Sequence, residues 1–386
     1  MLITAVLSIG LNFYVRVINI GLNSYLRPNN LAHANSHTAM VSPSTTRDKW
    51  LWPFAQDSIW NLPIGSDAQY SPANLPIADR SSVDYDLLFK IPDGSPLRPL
   101  YDPGSWTQRC SGTKTYKNLS ILIPDDLIVP DAINLVLKYH TPNNAAALLQ
   151  PDGKTIIQLE PMARCVKAGP VYGYHWPKKD LDLYSQGIAG GHLGSGLSSI
   201  GGTIRQGELI SKDPIRHVLK LEFWEKYINY DPTSPTPGYR WPADRADSSA
   251  STIYKGKNPQ IVMGTLFAIP PNVTVDSLGL TTPAGKKLFH ALQDYGGYHV
   301  DTTGVDAYAI AVEPGVEDEF QATYGYDFSN SAISNNLFYQ DFMKLFQSLN
   351  IVTNNSPNSV GGGGTRRAPL APPFADENTT KSASTN

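Results

Sequence analysis

The sequence contains few charged residues. Aspartate, glutamate, lysine and arginine make up 17% of its 386 residues, where about a quarter is usual, and the net charge is −3. Proteins that bind a nucleic-acid backbone need clustered lysine and arginine, so we expect no nucleic-acid partner. Aromatic residues are plentiful by contrast, with 20 Tyr and 7 Trp. A surface that is polar and aromatic, with little charge, suits sugars.

Cysteine is also scarce. The two cysteines, Cys110 and Cys165, include no Cys-x-x-Cys pair, so a closed zinc site is not expected. In an exported protein they most simply form one disulfide, which stabilises by about 4 kcal/mol in the chain-entropy model. Two free buried thiols are the alternative. We expect no metal ligands and no cofactor, except that a structural calcium ion would suit the oxygen-rich loop at residues 180–184.

The sequence has no apolar run long enough to span a bilayer. The run that begins at Leu2 is interrupted by Arg16, before the about 20 residues that a spanning helix needs. With the Ala-x-Ala pattern at residues 32–34, residues 1–34 are typical of a signal peptide, and an uncleaved membrane anchor is the alternative. We therefore predict a secreted monomer without an integral membrane domain. Its parts would be a linker at 35–49, a single β-rich domain at 50–375 and a disordered tail at 376–386.

The rest of the chain is typical of a β protein. Short apolar runs are separated every ten to fifteen residues by Pro, Gly, Asn and Asp. The pattern predicts an all-β fold, a large β-sandwich or jelly roll with two or three peripheral helices. One helix would begin at Thr282 and stop at Gly296, and another would cover residues 335–349. The predicted strands are 119–123, 146–149, 155–159, 202–204, 217–223, 262–269 and 298–301.

Residues 187–209 form the most unusual segment, because eight glycines surround a single histidine, His192. Glycine lets a backbone approach a ligand or another strand closely. His192 is therefore a candidate general base or sugar-binding donor, and a histidine that only supports the glycine turn is the alternative. Arg205 and Glu208 follow in a predicted strand, 203–209. Their odd spacing puts them on opposite faces, so they share a site only if Gly207 forms a bulge.

Further candidates lie in three later segments. In the strand 217–223, His217 falls on the apolar face, typical of a hydrogen-bonded core histidine, while Lys220 falls on the other face. Tyr298 and Asp301 lie after a helix and are candidate catalytic residues. The segment 238–247 offers aromatic and charged side chains for a substrate groove, or alternatively a tryptophan packed under a loop. Its candidates are Tyr239, Trp241, Arg245 and Asp247.

These residue types fit two ways of cleaving a polysaccharide. A lyase needs a cation to neutralise a uronate and a base to remove a proton; Arg205 or Arg245 with His192 and Tyr298 supply them. A glycoside hydrolase needs two carboxyls, for which Glu208, Asp247, Asp294 and Asp301 are candidates. The alternative is a noncatalytic extracellular protein, either glycan-binding through Trp241 or a structural matrix protein. We expect a polysaccharide partner in all but the structural case.

The ordered set of motifs resembles a group of uncharacterised secreted bacterial proteins, a resemblance that implies a single domain and brings no activity with it. Its motifs lie at residues 53–61, 192–209, 214–223, 238–247, 263–270, 291–301 and 361–374. More faintly, Arg205-x-x-Glu208-Leu209 followed by a strand with His217 is similar to the strand motifs of alginate-lyase-like jelly rolls. That similarity implies a polysaccharide lyase. Our leading interpretation is an enzyme that cleaves a polysaccharide by elimination or hydrolysis, with His192, Arg205, Glu208 and Asp301 near its centre.

Overall fold

The computed structural model describes residues 46–131, 143–177 and 181–376, with the backbone alone at 116–118. The predicted signal peptide, most of the predicted linker and residues 377–386 of the predicted tail lie outside the described residues, as does Asp180 of the predicted calcium loop. In the described part of the chain, no helix combines the length and the apolar character needed to cross a membrane.

Strands predominate among the described residues. In chain order they are β1 (Tyr70–Pro72), β2 (Arg80–Tyr85), β3 (Leu87–Lys90), β4 (Leu97–Tyr101), β5 (Thr115–Leu122), β6 (Ala146–Leu149), β7 (Thr155–Ala163), β8 (Val171–His175), β9 (Leu181–Asp182), β10 (Ala189–His192), β11 (Leu219–Phe223), β12 (Leu266–Ala268), β13 (Gly297–Thr302), β14 (Ala307–Val312), β15 (Asn330–Ser331) and β16 (Asn350–Val352).

The strands form two mixed sheets. The eight-stranded sheet has the order β1-β16-β12-β13-β11-β14-β2-β15, and the seven-stranded sheet has the order β3-β6-β7-β8-β4-β5, with β9 also paired to β7. Each sheet contains both parallel and antiparallel pairs; β11 is parallel to β13, and β3 is parallel to β6. The prediction of a predominantly β protein is therefore confirmed, and the sandwich or jelly-roll topology stays a prediction.

The helices are α1 (Ala250–Ile253), α2 (Val275–Leu278), α3 (Pro283–Asp294), α4 (Val316–Tyr324) and α5 (Leu337–Gln347), with 3₁₀ turns at Arg109–Ser111, Glu225–Tyr227 and Val360–Gly362. Both predicted helices are confirmed, as α3 and α5. The Thr282 side chain caps α3, and Gly296 follows it at φ 76°. Apolar residues of α3, α4 and α5 share one buried cluster with Leu221 and Ile310 of the eight-stranded sheet.

A second apolar cluster joins the two sheets. It contains Val218 and Val300 from the eight-stranded sheet side together with Ala147 and Ile156 of the seven-stranded sheet. Leu148, Ile157 and Leu159 belong to a third cluster, on the opposite face of the seven-stranded sheet. Side chains alternate between the two faces of each strand, so one face of each sheet contributes to the shared cluster, and we call it the inner face.

The predicted strands 202–204 and 203–209 are wrong. Residues 201–211 form turns, apart from a single bridge between Ile204 and Val312. Gly207 has φ 87°, a left-handed conformation that glycine adopts without steric penalty. The turn brings Glu208 back onto Arg205, whose backbone N–H donates to Glu208 Oε2 at 2.7 Å.

Candidate functional site

The inner face of the eight-stranded sheet is acidic at one end. Because Leu219, Leu221 and Phe223 face the helices, Lys220 and Glu222 of β11 face inward. After Leu221, the pairing of β11 with β13 skips one residue of β13. Glu222 therefore lies directly opposite Asp301 of β13. It also faces Ala309 of β14.

The neighbouring strand β2 continues this surface. Asp84 lies opposite Ala311 of β14, and Ala309 lies opposite Ser82. These alanines are small, so the carboxyl groups on either side of β14 have room to converge. Asp86 follows at the end of β2 and is fully buried.

The seven-stranded sheet supplies a further carboxyl. Ile156 of β7 belongs to the cluster between the sheets, so Gln158 and Glu160 point to the same inner face. Gln158 Oε1 accepts from the Ser199 backbone N–H at 2.7 Å. Glu160 is buried and accepts a hydrogen bond from the Leu193 backbone N–H.

The glycine-rich segment runs between these two faces. A Cβ on Gly190 would lie 2.3 Å from Ser198 Cα, and one on Gly191 would lie 2.2 Å from Ser199 Oγ. A Cβ on Gly194 would lie 2.5 Å from Asp301 Oδ1. The close backbone approach that the glycines predicted is thus present. It places His192, at the end of β10, fully buried between the sheets.

His192, Asp86 and Lys220 form a buried triad. His192 Nε2 lies 2.9 Å from Asp86 Oδ1, and the Lys220 ammonium donates to Asp86 Oδ2 at 2.6 Å. The ammonium also donates to the Ser198 carbonyl at 3.0 Å, and the Thr203 hydroxyl donates to Asp86 Oδ2 at 2.7 Å. Asp86 therefore orients both bases. We call Asp84, Asp86, Glu160, Glu222 and Asp301, with His192 and Lys220, the acidic cluster.

Several buried atoms of the acidic cluster have no hydrogen-bond partner among the described residues. They are His192 Nδ1, Glu160 Oε1 and Glu222 Oε1. His192 Nδ1 lies 3.6 Å from Asp301 Oδ2, which is longer than an ordinary hydrogen bond. Donor atoms of Glu160, His192 and Asp301 lie within 4.8 Å of one another. Unsatisfied buried polar atoms are costly, which makes this arrangement unusual for a purely structural core.

The carboxylate partners shift the pKa values of the buried bases His192 and Lys220. Burial and the Lys220 ammonium oppose a charged imidazole, but Asp86 and Asp301 outweigh them and raise the pKa of His192 to about 10. Burial lowers the pKa of Lys220, although Asp86 partly offsets this effect. Burial also opposes ionisation of Asp86, yet Lys220 and His192 overcome it and lower the pKa of this carboxyl. Asp86 is therefore an ionised partner for both bases.

Three other carboxyls of the acidic cluster have raised pKa values. Burial, reinforced by the charge of Asp301, raises the pKa of Glu160 well above its ordinary value. Burial and the neighbouring Asp84 do the same for Glu222. Desolvation raises the pKa of Asp84 to about 6. Protonated and ionised carboxyls thus coexist in one small region, as acid–base chemistry requires.

Aromatic side chains extend from the buried cluster to the surface. Glu160 of β7 lies directly opposite Tyr174 of β8, so both side chains leave the same face of the sheet, and Tyr174 is 40% exposed. Tyr172 lies on that face too, and its ring centroid is 5.8 Å from that of Tyr101. Asp84 is half-buried. Tyr172 and Tyr174 therefore lie on the face of the seven-stranded sheet that carries Glu160, and Tyr174 reaches solvent.

A second group of side chains lies beside this surface. The Arg245 guanidinium stacks on the Trp176 ring at 3.6 Å, and it pairs with Asp244 at 2.8 Å. The Tyr254 hydroxyl donates to Asp247 at 2.7 Å. Desolvation, with the charge of Asp301 next, raises the pKa of Asp247 to about 7, which places Asp247 within electrostatic range of the cluster.

The structure brings together three of the residues singled out in the sequence, His192, Lys220 and Asp301. Arg205 and Glu208 belong to a different group. Arg205 pairs with Glu313 at 3.0 Å, and Glu208 pairs with His217 at 3.2 Å. The structure therefore does not bring Arg205 and Glu208 to His192, because each is bound to other partners. The prediction of a buried, hydrogen-bonded His217 is confirmed.

Tyr298, Trp241 and Tyr239 also lie outside the acidic cluster. Tyr298 packs edge-on against Trp60, and its hydroxyl faces Asn355 at 3.4 Å. Trp241 lines a separate cavity of about 560 Å³, together with Asp57, Gln186 and Arg366. Tyr239 is half-buried and packs against the cluster under the helices. These contacts therefore do not place the predicted substrate-binding residues in a single groove.

Sequence reasoning missed Asp84, Asp86 and Glu160, and it gave Glu222 no role. A signal was present for Glu160, a charged residue inside the apolar strand TIIQLEPMA. Asp84 and Asp86 alternate with Val83 and Tyr85 along β2, which predicts a polar face but not a buried one.

Comparison of the chain with family models, with curated proteins and with solved structures finds no match. Its function must therefore be argued from the site.

Proposed function

We propose that the protein is an exported enzyme that cleaves a polysaccharide at the acidic cluster. The observation that carries the proposal is the convergence of five carboxyls, a histidine and a lysine between two sheets, with Tyr172 and the exposed Tyr174 on the sheet face that carries Glu160. Burying so many ionisable groups is costly, and groups with displaced pKa values concentrate at functional sites. The disulfide between Cys110 and Cys165 supports export, because such bonds persist in oxidising compartments.

Hydrolysis is the mechanism that these groups support best. It needs one carboxyl to protonate the leaving oxygen and a second, ionised carboxylate. Asp84 is half-buried and its pKa is raised to about 6, so it suits the acid role at mildly acidic pH. Asp301 retains 8% of its side-chain exposure and suits the second role. The charge of His192 offsets part of the rise in the pKa of Asp84, whereas the charges of Asp86 and Asp301 add to that rise.

Elimination is the alternative mechanism. A lyase needs a base, and His192 is a poor one while Asp86 and Asp301 hold it protonated. It also needs a cation for the substrate carboxylate. Arg205 is occupied by Glu313, whereas Arg245 lies near the aromatic surface on Trp176. Arg245 is therefore the residue that would serve an acidic sugar.

The substrate surface would be the face of the seven-stranded sheet that carries Tyr101, Tyr172 and Tyr174. Tyrosine rings stack on sugar faces without needing charge, in keeping with the low charge of the chain. We also infer a sandwich-like arrangement of the two sheets, because they share an apolar cluster. Jelly rolls are built from antiparallel strands, and the parallel pairs here argue for a different strand order.

A noncatalytic glycan-binding role is the second candidate. The cavity lined by Trp241, Asp57, Gln186 and Arg366 offers an aromatic ring with polar side chains, at a place separate from the acidic cluster. In that case Trp241→Ala would abolish glycan binding, and substitutions in the acidic cluster would leave it unchanged.

The test is incubation of the full chain with a panel of neutral and acidic polysaccharides. New reducing ends report both mechanisms, and absorbance from unsaturated products reports elimination alone. We expect Asp84→Asn and Asp301→Asn each to lower the rate by about 100-fold or more, since each removes an acid–base group. Glu208→Gln, a carboxyl paired with a different histidine, is the matched control and should keep its rate. Equal rates in all three variants would contradict the proposal.

A further inference from the structure

We infer that Glu160, His192 and Asp301 form a binding site for one divalent transition-metal ion, such as Zn²⁺ or Mn²⁺. Each residue offers a donor atom, and these atoms lie within 4.8 Å of one another. All three residues are at most 6% exposed. They come from β7, β10 and β13, so both sheets and the glycine-rich segment hold the ligands in place.

Two of the three residues have a buried donor atom that is not engaged in a hydrogen bond among the described residues. His192 Nδ1 and Glu160 Oε1 are buried and lack a hydrogen-bond partner among the described residues. Glu160 accepts from the Leu193 N–H through its other oxygen, which fixes the carboxyl and leaves Oε1 directed at the site. An ion at this point would satisfy both atoms at once.

Asp86 prepares His192 for this role. Asp86 Oδ1 lies 2.9 Å from Nε2, and the Lys220 ammonium lies 3.1 Å from the same nitrogen. An ion that binds Nδ1 would displace the proton from this nitrogen, and the proton that remains on Nε2 would donate to Asp86. Metal-bound histidines commonly donate their second ring N–H to a carboxylate in this manner. Lys220 and Thr203 donate to the other oxygen of Asp86, which holds the carboxylate in position.

The charge of the region also favours a cation. Five carboxyls face one lysine and one histidine in the acidic cluster, and Arg109 is a further buried cation near Glu160 and Asp84. A divalent ion would offset two negative charges at the place where they are most crowded.

The donor set indicates the class of ion. One imidazole nitrogen with two carboxylates suits zinc or manganese, whereas calcium prefers six to eight oxygen ligands. Ligands at about 2.1 Å from a tetrahedral zinc ion lie about 3.4 Å from one another. The separation of 3.6 Å between His192 Nδ1 and Asp301 Oδ2 already approaches that value. Three protein ligands would leave a position open for water or substrate.

This inference does not depend on glycan cleavage, because ion binding is measured without substrate. The full chain is treated with a chelator, dialysed and titrated with Zn²⁺, with Mn²⁺ and with Ca²⁺ in a calorimeter. We expect one Zn²⁺ or Mn²⁺ per chain, with much weaker binding of Ca²⁺. Glu160→Gln and Asp301→Asn should each weaken binding at least about tenfold, and Glu208→Gln should bind like the wild type.

Failure of the wild-type chain to bind either transition metal would overturn the inference, as would unchanged affinity in both ligand variants. If the variants do not fold, X-ray absorption of the wild-type chain with one equivalent of Zn²⁺ still decides the question. We expect one nitrogen ligand with the rest oxygen. Sulfur ligands, or two or more histidines, would place the ion elsewhere and contradict the assignment.

Discussion

Two histidines pair with carboxylates inside this protein, and their surroundings give them different roles. His217 is bound on both ring nitrogens, by the Val218 carbonyl at 2.9 Å and by Glu208 at 3.2 Å. His192 is held on one nitrogen only, and its second nitrogen faces Glu160 and Asp301. A fully bonded histidine stabilises the fold, whereas a partly bonded one has a free atom for chemistry.

The pairing of Glu208 with His217 predicts a stability that depends on pH. Burial opposes the charged form of both groups, but each partner's charge and hydrogen bond outweigh it, so that the pKa of His217 is raised and that of Glu208 is lowered. The His217 contribution is complete below its ordinary pKa of 6.5 and is lost as pH rises through the raised value. The Glu208 contribution is complete above 4.5 and is lost as pH falls.

We therefore expect Glu208→Gln to lower the free energy of unfolding by about 1–3 kcal/mol near pH 5.5, where both contributions are present. Urea unfolding of the variant and the wild type at about pH 5.5 and pH 9 measures this difference. The difference should shrink at the higher pH, because the histidine loses its charge. The same difference at both values would show that charge has no part in the pairing.

At the scale of elements, Thr282 and Asp341 join the two longest helices. The Thr282 hydroxyl accepts from the Gly285 N–H at the start of α3, and it donates to Asp341 of α5 at 2.7 Å. Asp341 also accepts from the Thr281 and Thr282 backbone N–H groups. Thr282 thus caps the N-terminus of α3 and anchors its first turn to α5.

We expect Thr282→Ala to destabilise the protein by about 1–2 kcal/mol, since it removes both the helix cap and a buried partner of Asp341. Thermal or urea unfolding measures the loss. Thr274→Ala is the matched control, because Thr274 caps the short helix α2 in an exposed position and should cost less. Equal costs in the two variants would mean that the contact with Asp341 contributes nothing.

At the scale of the molecule, the disulfide confirms the pairing predicted from composition. Cys110 and Cys165 are 55 residues apart in sequence, with Cα atoms 6.3 Å apart. The bond joins the 3₁₀ turn Arg109–Ser111 to the chain just beyond β7, the strand that carries Glu160. It therefore supports the same part of the fold as the acidic cluster.

Replacing both cysteines by serine should lower the free energy of unfolding by about 4 kcal/mol in the chain-entropy model. Urea unfolding of the double variant and of the wild type, each with and without reductant, measures this loss. Reductant should destabilise the wild type and leave the double variant unchanged. If reductant has no effect on the stability of the wild type, even when it is added to the unfolded chain, the bond does not form.

Local patterns predicted the parts of the fold that short-range forces govern. The predicted strands 146–149 and 155–159 correspond to β6 and β7, which are joined by a turn whose Asp and Gly suit that conformation, and Thr282 with Pro283 marks the start of α3. The same reasoning failed at 203–209, where apolar residues and glycines resemble a strand. There Gly207 and the contact of Glu208 with the Arg205 backbone produce a turn.

The composition and periodicity of the chain were enough to indicate a β-rich protein with one disulfide and two helices at known positions. The convergence of Asp84, Glu160, His192, Glu222 and Asp301 came from strand order and register. Each of these residues resembles an ordinary strand or loop residue among its neighbours. The irregularity in β13 is decisive, because it brings Asp301 to the side of Glu222. Propensities act over a few residues, whereas this cluster depends on pairings between strands far apart in the chain.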